Sequence, residues 1–163
     1  MDVTQQDLDQ LISCTKRMVA PPRREDEVRG GHRRNGFVAE DVAAGERFQV
    51  FTRVLVRLPE NSSIGLIHDP PDGARLLLLR YNGQHGPTAP FSRGGEWHAT
   101  CHIHRAYARR VQHGLEAWGD GAPTQAWASY EQALHAFLLD VAVENWRDYY
   151  GHLDQPRLPL GEE

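Results

Sequence analysis

The sequence predicts an α+β fold: an antiparallel β-sheet with an N-terminal helix and two C-terminal helices. Three observations favour it: one-sided apolar spacing near the start, strand-like alternation in the middle, and helical spacing again toward the end. Strands and helices that are segregated along a chain are typical of helices packed on one face of an antiparallel sheet. The 163 residues, 40% of them hydrophobic, predict a single domain with its own core.

The N-terminal helix is predicted over residues 4–17, where apolar residues recur on one face. Thr4 is placed to cap it, and Asp7 follows three residues later as in a capping box. Residues 20–36 combine prolines, paired glycines and mixed charges, and they predict a flexible loop. The arginines of this loop could contact a polyanion, but an arm solvated beside its own acidic residues is the preferred interpretation.

Four strands are predicted in the first half of the chain. The clearest covers residues 47–57, where apolar and polar residues alternate as in a half-buried antiparallel strand. Weaker patterns indicate strands at 37–42 and 62–68. Four consecutive leucines at 76–79 predict a central strand over 74–81 that is covered on both faces.

A fifth strand is predicted at residues 97–104, where a period of two places His98, Thr100, His102 and His104 on one face. The residues between them are small or apolar and suit a core. Imidazole exchanges a proton near neutral pH, so three in a row predict a reactive, ligand-binding or metal-binding surface. The alternative is an exposed edge strand with incidental histidines.

After this strand, helical spacing predicts two helices, at residues 105–118 and 124–146. The first has a basic face, which includes Arg105 and Arg109. Residues 151–163 are predicted to be a tail that frays. If the helices pack on one face of the sheet, we expect the histidines and arginines on the opposite face.

Positive charge is concentrated in the middle of an acidic chain. The formal net charge is −4, whereas residues 73–119 hold six arginines, two glutamates and five of the nine histidines. This segment predicts an anionic ligand at one local site rather than nucleic-acid binding over the whole surface. A polar, acidic start, the lack of a long apolar run and two widely spaced cysteines predict a cytoplasmic protein without a membrane partner.

The candidate site draws on the residue types that metal-independent RNA cleavage requires. That reaction needs a base for the 2′-hydroxyl, an acid for the leaving oxygen and cations for the phosphate. The predicted catalytic residues are His102, His104, Arg80 and His85. The predicted substrate-binding residues are Tyr81, Asn82, Arg105, Arg109 and His98. We expect Tyr81 to stack on a base and the arginines to bind phosphate.

No metal or other cofactor is predicted. His102 and His104 would lie about 7 Å apart along a strand and could share one ion, but no neighbouring carboxylate completes the shell. Cys101 would point to the opposite strand face. The segment His98-Ala99-Thr100 matches the H-x-T element of two-histidine phosphoesterases, but those enzymes need two such elements and a second is missing.

Three segments resemble an uncharacterised bacterial family whose core is R-Y-N-G-x-H followed by H-I-H-x-A-x-x-R. They are Asn61-Ser62-Ser63-Ile64-Gly65-Leu66, Leu79-Arg80-Tyr81-Asn82-Gly83-Gln84-His85, and His102-Ile103-His104-Arg105-Ala106 with Arg109. The layout is more remotely similar to TumE-like toxins of toxin–antitoxin pairs, and the resemblance covers residues 47–140. It implies that the shared polar residues are Arg80, His85, His102, His104 and Arg109, with His98 outside the pattern.

The resemblance implies a toxin that acts on RNA and is neutralised by a cognate antitoxin protein. The alternative is a non-enzymatic module that binds an anion or a protein through the same face.

Overall fold

The computed structural model describes residues 3–85 and 99–154, which form an antiparallel sheet with helices before and after it. The strands are β1 (Lys16–Ala20), β2 (Glu27–Arg29), β3 (His32–Asp41), β4 (Arg47–Leu55), β5 (Leu58–His68), β6 (Leu76–Asn82), β7 (His102–Arg105) and β8 (Ala122–Pro123). The helices are α1 (Gln5–Ser13), α2 (Ala108–Gln112), α3 (Tyr130–Asp140) and α4 (Arg147–Tyr150), which is followed by a 3₁₀ turn at Gly151–Asp154. The predicted α+β class is confirmed.

Neighbouring strands follow the order β1-β3-β4-β5-β6-β7-β8, and β2 pairs with the other half of β3. All of these pairs are antiparallel, so consecutive strands from β3 to β6 are joined by turns. Strands β4, β5 and β6 lie where sequence alternation and apolar runs predict them. Of the predicted strand at 97–104, β7 confirms only 102–104: residues 99–101 lie outside any strand, and 97–98 lie outside the described residues.

Helix α1 begins after Thr4 with the predicted capping box. The Thr4 hydroxyl accepts a hydrogen bond from the Asp7 backbone N–H at 3.1 Å, and the Asp7 carboxylate accepts one from the Thr4 backbone N–H at 2.8 Å. The helix ends at Ser13, so the predicted extension to residue 17 is wrong. The reason is Lys16, which starts strand β1 instead of continuing the helix.

Lys16 is fully buried and joins the two ends of the fold. Its ammonium donates to the carbonyl oxygens of Ile12 at 2.8 Å, Cys14 at 2.9 Å and Val141 at 3.2 Å, and it lies 4.7 Å from the ring centre of Phe48. Burial lowers the pKa of Lys16, because it disfavours the charged form. The hydrogen bonds to the three carbonyl oxygens compensate for part of the cost of burying the ammonium.

The prediction of a flexible loop at residues 20–36 is wrong for its second half. Strands β2 and β3 form a hairpin there, with Val28 opposite Arg33. Gly30 and Gly31 form the turn with φ of +57° and +75°, a conformation that residues with a Cβ rarely adopt. The arginines at 33 and 34 therefore lie on a strand.

Both predicted C-terminal helices are shorter than their apolar spacing suggests. The first, predicted at 105–118, is confined to α2, because Gly114 follows it with φ of +65° and Trp118 bridges back to Ala106. The second, predicted at 124–146, is confined to α3, whose start is capped by the Ser129 side chain. None of the described helices has the length and apolar character needed to cross a membrane. Of the predicted tail, 151–154 form the 3₁₀ turn, and the rest lies outside the described residues.

The two faces of the sheet differ in composition. Buried side chains on one face, including Phe48, Leu66 and Leu79, belong to the same hydrophobic cluster as residues of α1 and α3. Phe137 of α3 contacts Tyr81 of β6 edge to face, with ring centroids 5.3 Å apart. Because successive strand residues point to opposite sides, the residues between these core positions lie on the other face. We call the first face the helix-packed face and the second the polar face.

Candidate active site

Strand register gathers polar side chains on the polar face. Ser63 of β5 is opposite Asn82 of β6, and Asn82 is opposite His102 of β7. One step along, Arg80 is opposite His104. Directly opposed residues project from the same side of a sheet, with Cβ atoms about 5 Å apart. Together with the neighbouring His85, these residues form what we call the histidine cluster: Ser63, Arg80, Asn82, His85, His102 and His104.

A chain of hydrogen bonds crosses three strands of this cluster. Arg80 Nε donates to Ser63 Oγ at 2.7 Å, and Ser63 Oγ donates to Asn82 Oδ1 at 2.8 Å. Asn82 Nδ2 lies 3.2 Å from His102 Nε2, and His102 Nδ1 lies 2.8 Å from the Thr100 carbonyl oxygen. The bonds are therefore continuous from a guanidinium to a backbone carbonyl.

Both ends of this chain impose the same direction on it. Arg80 can only donate, so the Ser63 hydroxyl directs its proton to Asn82, whose amide then donates to His102. The Thr100 carbonyl can only accept, so His102 carries its proton on Nδ1. The network thus accommodates a neutral His102 ring with the lone pair on Nε2.

His85 lies against that lone pair. Its Nε2 is 3.3 Å from His102 Nε2, and the two rings meet edge to face with centroids 5.0 Å apart. Gly83, two residues earlier, lets the chain pass close to β5, because an added Cβ would overlap the Glu60 carbonyl oxygen. When His85 donates its Nε2 proton to His102, it shares the single lone pair of His102 Nε2 with the Asn82 amide, and a neutral His85 then carries its own lone pair on Nδ1. His85 is partly exposed, so it is the histidine of the cluster nearest to solvent.

His102 and His104 are buried, with 0% and 3% of their surface exposed. His104 Nδ1 lies 2.9 Å from the Gly119 carbonyl oxygen, which fixes a proton on that nitrogen. Its ring packs edge to face against His102 at 5.1 Å and Trp118 at 5.0 Å. The expectation that both histidines are exposed to a ligand is therefore wrong, because Trp118 packs against His104, whereas Asn82, His85 and His104 surround His102.

Arg80 brings a cation to the cluster. It is partly buried, and burial lowers the pKa of its guanidinium, with a further lowering from the nearby charge of Arg53 on β4. An arginine remains charged at any physiological pH, so the lowered pKa reflects mainly the cost of burying the charge and, to a smaller extent, repulsion from Arg53. A bound anion would relieve that repulsion.

Tyr81 and Arg105 do not join the cluster. Tyr81 is buried on the helix-packed face, stacked on Trp127 with centroids 4.4 Å apart, and its hydroxyl donates to Asp140. The prediction that Tyr81 stacks on a base is therefore wrong, because its ring is already covered. Arg105 projects from the same side as Tyr81 and pairs with Asp9 at 3.5 Å. The R-Y-N segment is thus divided between two faces of one strand.

Two predicted site residues remain, Arg109 and His98, and neither is part of the described cluster. Arg109 is exposed and lines a separate cleft of about 520 Å³, whose wall includes Trp118 and Gly119. Those two residues also contact His104, so the cleft adjoins the cluster without being part of it. His98 lies outside the described residues.

Sequence reasoning missed Ser63 and Arg53. Ser63 is the link between Arg80 and Asn82, and its signal is a buried hydroxyl inside an apolar strand. Arg53 alternates with apolar residues on β4, which marks it as a polar-face residue but does not reveal its partner strand. In both cases the missing information is the register between strands.

Neither a metal nor a family provides further guidance. Within 3–85 and 99–154, no group of three or more His, Cys, Asp or Glu side chains is arranged to hold a metal ion. Comparison with protein families, curated proteins and solved structures found no match to this chain. The functional argument therefore rests on the geometry of the histidine cluster.

Proposed function

We propose that this protein is a metal-independent ribonuclease, the toxic member of a toxin–antitoxin pair, and that its histidine cluster performs the reaction. The observation that supports this best is the contact between His85 Nε2 and His102 Nε2 at 3.3 Å. A buried, oriented imidazole behind a partly exposed one is the arrangement of a general base with its positioning group. Arg80, which is opposite His104 and linked to His102 through Ser63 and Asn82, supplies positive charge to the cluster.

In the proposed reaction, His85 Nδ1 removes the proton of a ribose 2′-hydroxyl. The 2′-oxygen forms a bond to phosphorus, the bond from phosphorus to the 5′-oxygen breaks, and Arg80 stabilises the extra negative charge. The products are a 2′,3′-cyclic phosphate and a 5′-hydroxyl. The leaving oxygen takes its proton from water, or from His104 once substrate binding has exposed its buried ring, and the two routes differ in their pH dependence.

The pH profile on a defined RNA separates these routes. If His104 is the acid, the rate follows a bell-shaped curve with both limbs between about pH 5 and 8, and the two apparent values belong to the coupled histidines. If water is the proton source, only the rising limb remains. A rate that is flat across this range would contradict histidine base catalysis altogether.

The main test compares His85→Gln with wild type. We expect cleavage to fall about 10²- to 10⁴-fold with RNA affinity nearly unchanged, because the partly exposed base is lost while the rest of the cluster stays. His152→Gln, another histidine substitution, on the 3₁₀ turn, is the matched control. Wild-type protein that leaves purified RNA intact would count against the enzymatic proposal.

The burial of His102 and His104 favours a second candidate, a non-enzymatic binding module that uses the same face. In that case His85→Gln would lower affinity for the anionic ligand and there would be no turnover to lose. The toxin assignment is tested separately, by expressing the protein alone and with the product of its neighbouring gene. Growth arrest that the neighbour relieves supports a cognate antitoxin, whereas unchanged growth contradicts a toxin.

A further inference from the structure

We propose that the polar face binds single-stranded RNA, with Phe51 as a stacking surface for a base and Arg34, Arg53 and Arg80 as phosphate contacts. The inference rests on the proposed function, because the bound strand would lead to His85. It adds the class of substrate and the surface that holds it.

Register across β3 to β7 produces two adjacent rows of side chains on this face. The first row is Arg34, Arg53, Ser63, Asn82 and His102, and the second is Gly36, Phe51, Gly65, Arg80 and His104. At about 4.8 Å per strand, each row extends about 19 Å. The arginines and the phenylalanine therefore lie on one face of the sheet, which leads to the histidine cluster, where Ser63, Asn82, His102 and His104 are buried.

Phe51 is held as a platform in the second row. It is partly exposed, and its ring lies over Gly65, where an added Cβ would overlap the ring atoms. One side of the ring is thus supported by the backbone of β5. RNA-binding sheets and single-strand-binding proteins use aromatic rings on a sheet surface in this way, because every base can stack on them.

Charge complements this platform on both sides. Arg34 and Arg53 are exposed and directly opposite each other, and Arg80 lies two strands from Phe51 in the same row. Within the described ranges, none of these three arginines forms an ion pair with a carboxylate. They are therefore available to an anion.

Arg53 is also positioned by a neighbour. Its Nη2 donates to His32 Nε2 at 2.9 Å, and His32 Nδ1 lies 2.9 Å from the Gly30 carbonyl oxygen, which fixes the proton on Nδ1. An oriented guanidinium loses less freedom on binding a phosphate than a mobile one.

The combination favours a single strand. In a duplex the bases are paired and stacked within the helix, so none can lie on Phe51, whereas an unpaired strand offers both its bases and its phosphates. An acidic protein could pair with the arginines but would gain nothing from the aromatic ring in particular. Dependence on Phe51 therefore separates these ligands.

The experiment uses the full chain and a fluorescent 2′-O-methyl oligoribonucleotide of about twelve residues, which has no free 2′-hydroxyl and so resists the proposed cleavage. We expect it to bind at least about tenfold more tightly than the same sequence in a duplex. Phe51→Leu should weaken single-strand binding about five- to 150-fold, the range measured for loss of one base stack, and Phe51→Trp should retain it.

The arginine contribution is read from salt dependence. Arg53→Gln should reduce the slope of log K against log salt by about 0.7, because one phosphate contact is lost. The matched control is Arg105→Gln, which removes the same charge from the helix-packed face and should leave that slope unchanged. Thermal melting checks that each variant is folded. If Phe51→Leu does not fold, the inference is tested by the salt dependence of Arg53→Gln and by the preference of the wild type for single-stranded RNA.

Equal affinity for the single strand and the duplex, or unchanged binding by both Phe51→Leu and Arg53→Gln, would overturn this inference. The inference would also be overturned if poly-glutamate bound as tightly as the oligonucleotide and if that binding did not depend on Phe51. Failure of the proposed function looks different: the wild type would bind the oligonucleotide as described but leave ordinary RNA uncut. Cleavage with unchanged KM in both variants would reject the binding surface and keep the enzyme.

Discussion

The helix-packed face and the polar face share the strand β6 but carry side chains with opposite roles. On the first, Leu79 and Tyr81 are buried against helices, and Tyr81 is fixed by the Trp127 ring and the Asp140 carboxylate. On the second, Arg80 and Asn82 belong to a directional hydrogen-bond chain that ends at His102. Adjacent residues of one motif therefore belong alternately to the packed core and to the proposed active site.

The two faces also differ in what a substitution removes. Core contacts are non-directional, so a lost methyl group on the helix-packed face reduces the free energy of unfolding wherever it occurs. The polar face depends on the order of donors and acceptors, so an isosteric exchange can disturb it without changing volume. The following predictions test that difference, from the largest expected effect to the smallest.

Leu79→Ala and Arg80→Gln change neighbouring residues on opposite faces. We expect Leu79→Ala to lower the free energy of unfolding by about 2–5 kcal/mol, because it opens a cavity in the core. Arg80→Gln should cost less stability but should weaken both RNA binding and cleavage. Urea denaturation and binding assays on both variants measure this, and equal stability losses would contradict the separation of roles.

Asn82→Asp keeps the shape of the side chain but replaces a donor by an acceptor. The carboxylate would face the lone pair of His102 Nε2, and we expect a loss of about 1–3 kcal/mol in the free energy of unfolding at neutral pH. Asn82→Ser retains a donor and is the control for loss of size. A fully stable Asn82→Asp protein would show that the proposed hydrogen-bond direction is incorrect.

Tyr81→Phe tests the helix-packed face through pH. Burial, and then the hydrogen bond to Asp140, raise the pKa of Tyr81 above its ordinary value near 10, so the fold favours the neutral phenol. Its contribution to stability is complete below about pH 10 and is lost as the pH rises toward the folded-state value.

We therefore expect Tyr81→Phe to cost about 1 kcal/mol at pH 8 and to lose stability less steeply than wild type above pH 10. Tyr150, whose pKa burial also raises, accounts for a residual slope. Urea midpoints between pH 8 and 11 provide the measurement. Identical slopes for the two proteins would mean that Tyr81 ionises in the folded state as easily as in the unfolded one.

Arg105→Gln should have the smallest effect. The side chain is half exposed and its pairing with Asp9 at 3.5 Å is a surface contact, so we expect a change in the free energy of unfolding within about 1 kcal/mol. Cleavage should remain near the wild-type rate, in contrast to Arg80→Gln. A large loss of cleavage would mean that the substrate reaches the helix-packed face.

Sequence patterns located elements whose own periodicity is strong. Strand β4 alternates along its length, and α1 has both a capping box and an apolar stripe. The sequence did not show which residues of β6 point to which face of the sheet, because four consecutive leucines conceal the period of two. Strand β1 was missed because it depends on pairing with β3 and on the buried Lys16, which are tertiary effects.

The candidate site was predictable in composition but not in arrangement. His85, His102, Arg80 and Asn82 do meet, yet which nitrogen faces which partner follows from the register of β5, β6 and β7. The burial of His102 is likewise unpredictable from its strand, because the contacts with Asn82 and His85 depend on the pairing of β6 with β7.

The contacts of Lys16 have a consequence for the order of events during synthesis. Lys16 is bonded to Val141, 125 positions later in the chain, and its backbone also pairs with Ala142 and Glu144. At about 5–20 residues per second, the ribosome delivers those partners roughly 6–25 s after Lys16 itself. Until then the ammonium has no carbonyl of that segment to bind. A nascent chain that ends before residue 141 therefore lacks these bonds to Lys16 and cannot close the native fold.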